Sequence, residues 1–274
     1  MKICRMMFYS DYISDEQLVK AVQNSSHLDK CYVGFYSKTW TGEKHQKINL
    51  NLFNNLSDYS KNVRLVYFNE ENAKIDHSFM HPMQVDAACR NYLIEIAKSD
   101  RQDIMIMQDT DEFIIQEEYE KIINEYFPAM IEFGFNCCAM KWKNFWKNWR
   151  TILEPNINTL SDPPFEWTNF AMMLNSNIKF TSSKYIKQDG NKSSMQQEWY
   201  LYHGSFVLSD EQVLNKVTTW GHSKDIDMLK WYREKWLNWN YETTDLHPSE
   251  NPHHWLKAVP YDGPLPKELI DYKV

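Results

Sequence analysis

Apolar residues gather in short unbroken runs in the first half of this chain and in looser alternation in the second. Residues 2 to 9, Cys31-Tyr32-Val33-Gly34-Phe35-Tyr36, Val63-Arg64-Leu65-Val66-Tyr67-Phe68 and Ile104-Met105-Ile106-Met107 read as four strands. A brief apolar run closed by polar residues is the signature of a strand buried on both faces. Between these runs the period changes to that of a helix. Ser14-Asp15-Glu16-Gln17 is a capping box, with Leu18, Val19 and Val22 as the apolar stripe behind it. His81-Pro82 opens a longer helix to about Lys98, whose stripe is Val85, Cys89, Tyr92, Leu93 and Ile96, with Arg90 and Asn91 off it. Tyr119, Ile122, Ile123, Tyr126, Phe127, Met130 and Ile131 predict a third helix, bent near Pro128. Residues 38 to 62 carry no pattern. The second half predicts strands near 136 to 143, 169 to 174 and 199 to 207 and a helix from a second capping box, Ser209-Asp210-Glu211-Gln212. A last helix follows over about 225 to 238, and the tail from His247, with Pro248, Pro252, Pro260, Pro264 and Pro266, is expected to wrap the surface.

This order implies a right-handed, doubly wound α/β half, residues 1–116, joined to a more irregular half, 117–274. No repeat, linker or low-complexity tract separates the two, so a single domain is expected.

The fourth strand ends in Gln108-Asp109-Thr110-Asp111-Glu112-Phe113. Side chains alternate along a strand, so Asp109 and Asp111 are expected on one side with Thr110 on the other. Paired carboxylates at the end of a buried strand repel each other unless a cation or a ligand's donors lie between them. The carboxyl edge is also where open α/β sheets take ligands.

The net charge of −7 argues against broad affinity for nucleic acid or anionic membrane. Neither a signal peptide nor a membrane-length apolar stretch is evident. Five cysteines with no Cys-x-x-Cys pair fit a reduced, soluble, cytoplasmic protein. With 11 Trp, 16 Tyr and 14 Phe, the chain has aromatic faces to spare for sugars or bases.

Arg90-Asn91 on a helix, the apolar strand ending in Asp109-Thr110-Asp111, and His203 within Tyr200-Leu201-Tyr202-His203-Gly204 together resemble the GT-A class of nucleotide-sugar glycosyltransferases, family-2-like members in particular. The resemblance spans roughly residues 1 to 225 and implies a Rossmann-like α/β/α sandwich with an acceptor half toward the C-terminus. It implies transfer of a sugar from a nucleotide-diphosphate sugar, most readily a UDP-sugar, to a hydroxyl acceptor. Asp111 and His203 would hold Mn2+ or Mg2+, with Asp109 sharing the metal or reaching the ribose. Tyr9, Arg90 and Asn91 would meet the nucleotide sugar. His222 is the rival ligand, and His253-His254 a weaker one. An inverting transfer also needs a carboxylate base. The family's usual Glu-Asp pair is missing, which leaves Glu166 foremost and Asp162, Asp189 and Glu198 as rivals, with retaining chemistry open.

Lys141-Trp142-Lys143-Asn144-Phe145-Trp146-Lys147-Asn148-Trp149-Arg150 alternates bases and aromatics. With Trp167, its Trp142 and Trp146 are candidate acceptor contacts, for a glycan or for DNA bearing hydroxymethylated bases. Other readings are phosphoryl transfer of the haloacid-dehalogenase type, glycoside hydrolysis, and an aromatic-rich binding module without catalysis. Against the phosphoryl-transfer reading, three strands precede the acidic motif and Phe113 stands four residues after its first aspartate, where Thr or Val is usual.

Overall fold

The computed structural model describes residues 1–45, 48–155, 167–182, 185–186, 192–219, 227–248 and 255–272. In chain order the elements of the first half are β1 (Ile3–Phe8), α1 (Asp15–Gln23), β2 (Lys30–Tyr36), α2 (Leu50–Asn54), β3 (Val63–Phe68), α3 (Glu70–Ala73), α4 (Pro82–Ser99), β4 (Ile104–Met107) and β5 (Glu112–Phe113). Next come α5 (Gln116–Lys121), α6 (Phe127–Glu132), β6 (Cys137–Trp146), β7 (Asn148–Pro155), β8 (Trp167–Met173), β9 (Phe180–Ser182), β10 (Tyr185–Ile186) and β11 (Ser193–Phe206). The chain then forms α7 (Asp210–Thr219), α8 (Met228–Trp231) and β12 (Trp255–Pro260).

The fold is mixed α/β. One sheet runs through both halves in the order β12-β7-β6-β8-β4-β1-β2-β3. The strands from β4 to β3 are parallel, while β8, β6, β7 and β12 are added antiparallel. Every residue of β1 is buried. Its Cys4, Met6 and Phe8 pack with Val85, Cys89 and Leu93 of α4, and its Met7 packs with Leu18 and Val22 of α1. That two-sided burial is why the run carries no polar alternation. The strand order reverses between β1 and β4, so their carboxyl ends flank the crevice where a doubly wound sheet takes its ligand.

The expected helix starts are present. Ser14 accepts a hydrogen bond from the Gln17 amide at 3.1 Å, but the Gln17 side chain is buried without a partner, so only half of that capping box forms. The second box is complete, through Ser209 and Gln212. Pro128 has no N–H to continue the helix ladder, and a π turn over Ile122–Tyr126 takes up the slack between α5 and α6.

The tail departs from expectation. It contributes β12, paired antiparallel with β7, instead of only lying on the surface. Its Pro260 and the Pro155 of β7 fall at opposite ends of that ladder, where a missing donor is tolerated. All five cysteines are buried free thiols, and no described helix is long and apolar enough to cross a membrane.

His27 follows α1 with its ring edge-on to Tyr119 at 4.4 Å and both ring nitrogens buried without a partner. Burial lowers its pKa from 6.5 to about 4. The unfolded chain therefore takes up a proton below pH 6.5 that the folded chain refuses, and stability falls as pH drops from there toward 4. Urea unfolding at pH 7 and pH 5 is expected to show a smaller loss for His27→Phe than for the wild type. Equal losses would assign the acid sensitivity elsewhere.

Candidate active site

After β4 the chain folds into a tight turn, closed by the Glu112 amide donating to the Asp109 carbonyl at 3.2 Å. A buried guanidinium organises this acid turn. Arg5, fully buried in β1, donates to the carbonyls of Gln108, Asp109 and Glu112, and its other amino group reaches the Ala21 carbonyl of α1 and the Ser25 hydroxyl just beyond that helix. All five donors of the fork are placed on neutral oxygens. Glu112 lies at zero exposure. One of its carboxylate oxygens accepts from the Asp109 amide at 2.8 Å, the other from the Trp142 indole at 3.0 Å. It shapes the turn from behind.

The two aspartates diverge to different partners. Asp109 meets Arg90 of α4 in a two-pronged pair at 3.0 and 3.1 Å, and the same guanidinium bonds Asp86 one turn earlier at 2.9 Å. Burial alone would weaken the hold of Arg90 on its proton, but Asp109 and Asp86 outweigh it and raise the pKa. Asp111 turns instead toward β11 and α7. Its Oδ2 lies 3.8 Å from His203 Nε2 and 3.9 Å from Lys216 Nζ. The repulsion between neighbouring carboxylates is thus relieved by separate internal cations, Arg90 for one and Lys216 for the other.

β11 brings His203 into place by pairing with β5, His203 opposite Glu112 and Tyr202 opposite Phe113, and the Gly204 amide donates to the Asp111 carbonyl at 2.7 Å. Trp142 stacks on the imidazole at 4.8 Å. His203 Nδ1 donates to the amide oxygen of Asn144 at 2.7 Å, which leaves Nε2 facing Asp111. Asp111 and His203 face each other across 3.8 Å and are the residues that would hold a divalent ion here. Oxygen ligands suit magnesium or manganese, and one imidazole in the set tips the choice toward manganese. Among the described residues there is no group of three or more His, Cys, Asp or Glu placed to hold a metal, so an ion here would need further ligands from substrate or water.

Beside the acid turn a small cleft of about 20 Å³ opens at the carboxyl ends of β1 and β2, walled by Tyr9, Tyr12, Tyr36, Trp40, His45 and Thr219 among others. Trp40 stacks on Tyr36. His45 is fixed between Asp11 and the Tyr36 carbonyl at 2.8 and 2.9 Å. Tyr9 forms part of the wall, its hydroxyl donating to Asp15 at 2.6 Å.

Other residues singled out by sequence fall as follows. Asn91 clamps the backbone of Phe180 through two 2.9 Å bonds, holding β9 against α4. Trp146 is fully buried among Phe206, Trp231 and Trp236, so it has no surface to offer an acceptor. Trp167 is partly exposed with Lys141 over its ring at 5.3 Å. The lysines of that strip are drawn onto the protein's own rings, Lys143 beside Tyr200, Tyr202 and Tyr261 and Lys147 over Trp236, while Arg150 donates to the Gly263 carbonyl at 3.2 Å. Glu198 is exposed on β11. Asp162, Glu166, Asp189, His222, His253 and His254 lie outside the described residues.

Sequence reasoning missed Arg5 and Lys216, although both carry a signal. Arg5 is the lone charge in an apolar strand. Lys216 falls with Val213 and Val217 on the buried stripe of α7. A charge at an apolar position marks a group that the fold must partner.

No protein-family model matches the chain, and no curated protein matches it. Among solved structures, residues 1–349 of S. aureus TarS align over 87% of this chain and 71% of that one at 12% identity and a TM-score of 0.44. Glucosyl-3-phosphoglycerate synthase from Mycobacterium tuberculosis, in complex with Mg2+ and uridine diphosphate, aligns over 74% and 71% at 10% identity and a TM-score of 0.39.

Proposed function

We propose that the chain is a glycosyltransferase that moves a sugar from a nucleotide-diphosphate sugar, a UDP-sugar foremost, to a hydroxyl acceptor. The observation that supports this reading best is the acid turn at the reversal point of the sheet, set against an aromatic cleft. In this reading the base and ribose lie against the aromatic residues at the mouth of the cleft. The diphosphate extends toward Asp111, and Trp142, stacked behind His203, closes the far side. Asp111 and His203 hold the divalent ion, which when bound supplies positive charge for the departing diphosphate. Arg90 holds Asp109 oriented, and Asn144 holds the His203 ring with Nε2 toward Asp111. The acceptor's proton is assigned to Glu166 on sequence grounds alone.

The test is thermal unfolding with UDP, GDP and CDP, each with manganese or with EDTA. One diphosphate is expected to raise the midpoint, and manganese to raise it further. Asp111→Asn is expected to lose the manganese-dependent increment. Equal increments in the wild type and this variant would place the metal elsewhere. Slow metal-dependent hydrolysis of a sugar nucleotide by the wild type separates an enzyme from a binding module.

A further inference from the structure

The two ends of the sheet are finished differently. β12 is shielded along its outer side, where the Asp245 and Leu246 amides donate to the Leu256 and Trp255 carbonyls at 2.8 and 3.0 Å, and it carries a register shift after Trp255 and ends in Pro260. Such devices keep a sheet edge from pairing with another. β3, at the opposite end, has none of them. It pairs with β2 over all six of its residues without a bulge and contains neither proline nor glycine. Its one charge, Arg64, is turned back onto Asp100. The Asn62 and Phe68 carbonyls accept from the Cys31 and Ser37 amides, so by alternation the main chain of Val63, Leu65 and Tyr67 faces away from β2. The Val63 amide is taken by the Ser60 carbonyl at 3.3 Å. Among the described residues, no hydrogen bond reaches the Val63 carbonyl or the main chain of Leu65 and Tyr67. The Tyr67 side chain is 49% exposed, although its ring packs on Phe35 and Phe53.

We propose that β3 is a dimerisation edge, pairing antiparallel with β3 of a second copy of this chain about a two-fold axis at Leu65. In that register the two Leu65 residues exchange both main-chain bonds, and the Tyr67 amide of each copy donates to the Val63 carbonyl of the other. Val63, Leu65 and Tyr67 project to one face of the strand, so their side chains form one apolar row across the axis. Charge selects a second copy over an unrelated strand. Lys61, just before β3, and Glu71, just after it, are both exposed, and antiparallel pairing brings Lys61 of each copy to the end where Glu71 of the other stands. One axis thus creates an opposite-charge pair at both ends. Within a single chain these two side chains are held roughly 20 Å apart by the length of β3 and do not meet. From Lys61 to Glu71 the charges balance, Lys61 and Arg64 against Glu70 and Glu71, in a chain whose net charge is −7. This edge is therefore spared the repulsion that other surfaces of two copies would meet.

Sedimentation velocity of the full chain over a range of micromolar concentrations is expected to show mass-action conversion from one chain to two. Leu65→Pro removes an outward amide that the ladder with β2 does not use, and it is expected to stay monomeric. Lys61→Glu and Glu71→Lys each place like charges at both ends of the pairing and are expected to weaken the dimer about tenfold or more at low salt. An equimolar mixture of these two variants restores opposite charges at both ends. The mixture is expected to associate more tightly than either variant alone, with the gain fading in high salt. No change within a single chain produces that recovery. A wild type that remains monomeric at every concentration overturns the proposal and leaves the edge to a strand from a different chain. A wild-type dimer whose association none of the three substitutions alters also overturns it, as does a mixture that associates no better than its components. If Leu65→Pro does not fold, the two exposed charge reversals and their mixture decide the matter.

Discussion

Replacing Arg5 with methionine is expected to lower the free energy of unfolding by about 3–5 kcal/mol, the largest loss of any single substitution considered. Methionine fills much of the same volume but supplies none of the five donors. Five oxygens, three of them carbonyls of the acid turn, then lose a donor where water has little access. A lysine does not repair this, because an ammonium has three donors and no planar fork with which to reach α1 and the turn together. Arg5→Lys is expected to recover less than half of the loss. The turn should also loosen, so that whatever folded Arg5→Met remains binds manganese more weakly than the wild type does. Urea unfolding monitored by tryptophan fluorescence measures the first effect and calorimetry the second. A stability loss below about 1 kcal/mol would mean that the turn holds its own shape.

Gly204→Ala is the second large effect, expected to cost about 2–3 kcal/mol. A methyl group at this position would lie 2.3 and 2.5 Å from two ring carbons of Trp149. That indole is 3% exposed and wedged against Phe113 and Phe145 at centroid distances of 5.6 and 5.1 Å, so it has nowhere to retreat. Strain of this kind is relieved instead by movement of β11. Because the Gly204 amide holds the Asp111 carbonyl and His203 is its neighbour, such movement alters the spacing on which metal binding depends. Weaker manganese binding should therefore accompany the lower unfolding midpoint. The double variant Gly204→Ala, Trp149→Phe is expected to recover part of both, through the smaller ring. A Gly204→Ala variant with unchanged stability would show that Trp149 shifts without cost.

The parts of the fold legible in sequence are those whose signal is local. β1 to β4, α1 and α4 follow from runs, periods and caps that a window of a few residues contains. β7 was hidden because the reversal is confined to the single residue Lys147 between the paired Trp146 and Asn148, with no Gly to mark it. Lys147 itself adopts the left-handed conformation, with φ 63°, and its amide is taken by the Phe206 carbonyl at 2.8 Å. The basic and aromatic strip thus reads as one run while the chain reverses within it. β12 was hidden by its prolines, which suggest a surface wrap until the partner strand is known.

The candidate site divides along the same line. Asp109, Asp111 and His203 stand out as residue types in a spacing. What each faces is decided by α4, β11 and α7, which no local pattern brings together. Arg90 illustrates the difference. It falls off the apolar stripe of its helix, as a solvated residue would, yet it is 4% exposed because Asp109 and Asp86 come to it.

The pairing of β5 with β11 carries a consequence for the order in which the molecule assembles. A nascent chain that has emerged only as far as β5 possesses both aspartates, but the partners that orient Asp111 lie some ninety residues further on. Closing so long a loop is slow and carries its entropic cost before the contacts it permits can form. The sheet's parallel half can thus collapse early around β1, while the acquisition of a competent binding centre waits for β11 to arrive, which makes it one of the last events of folding.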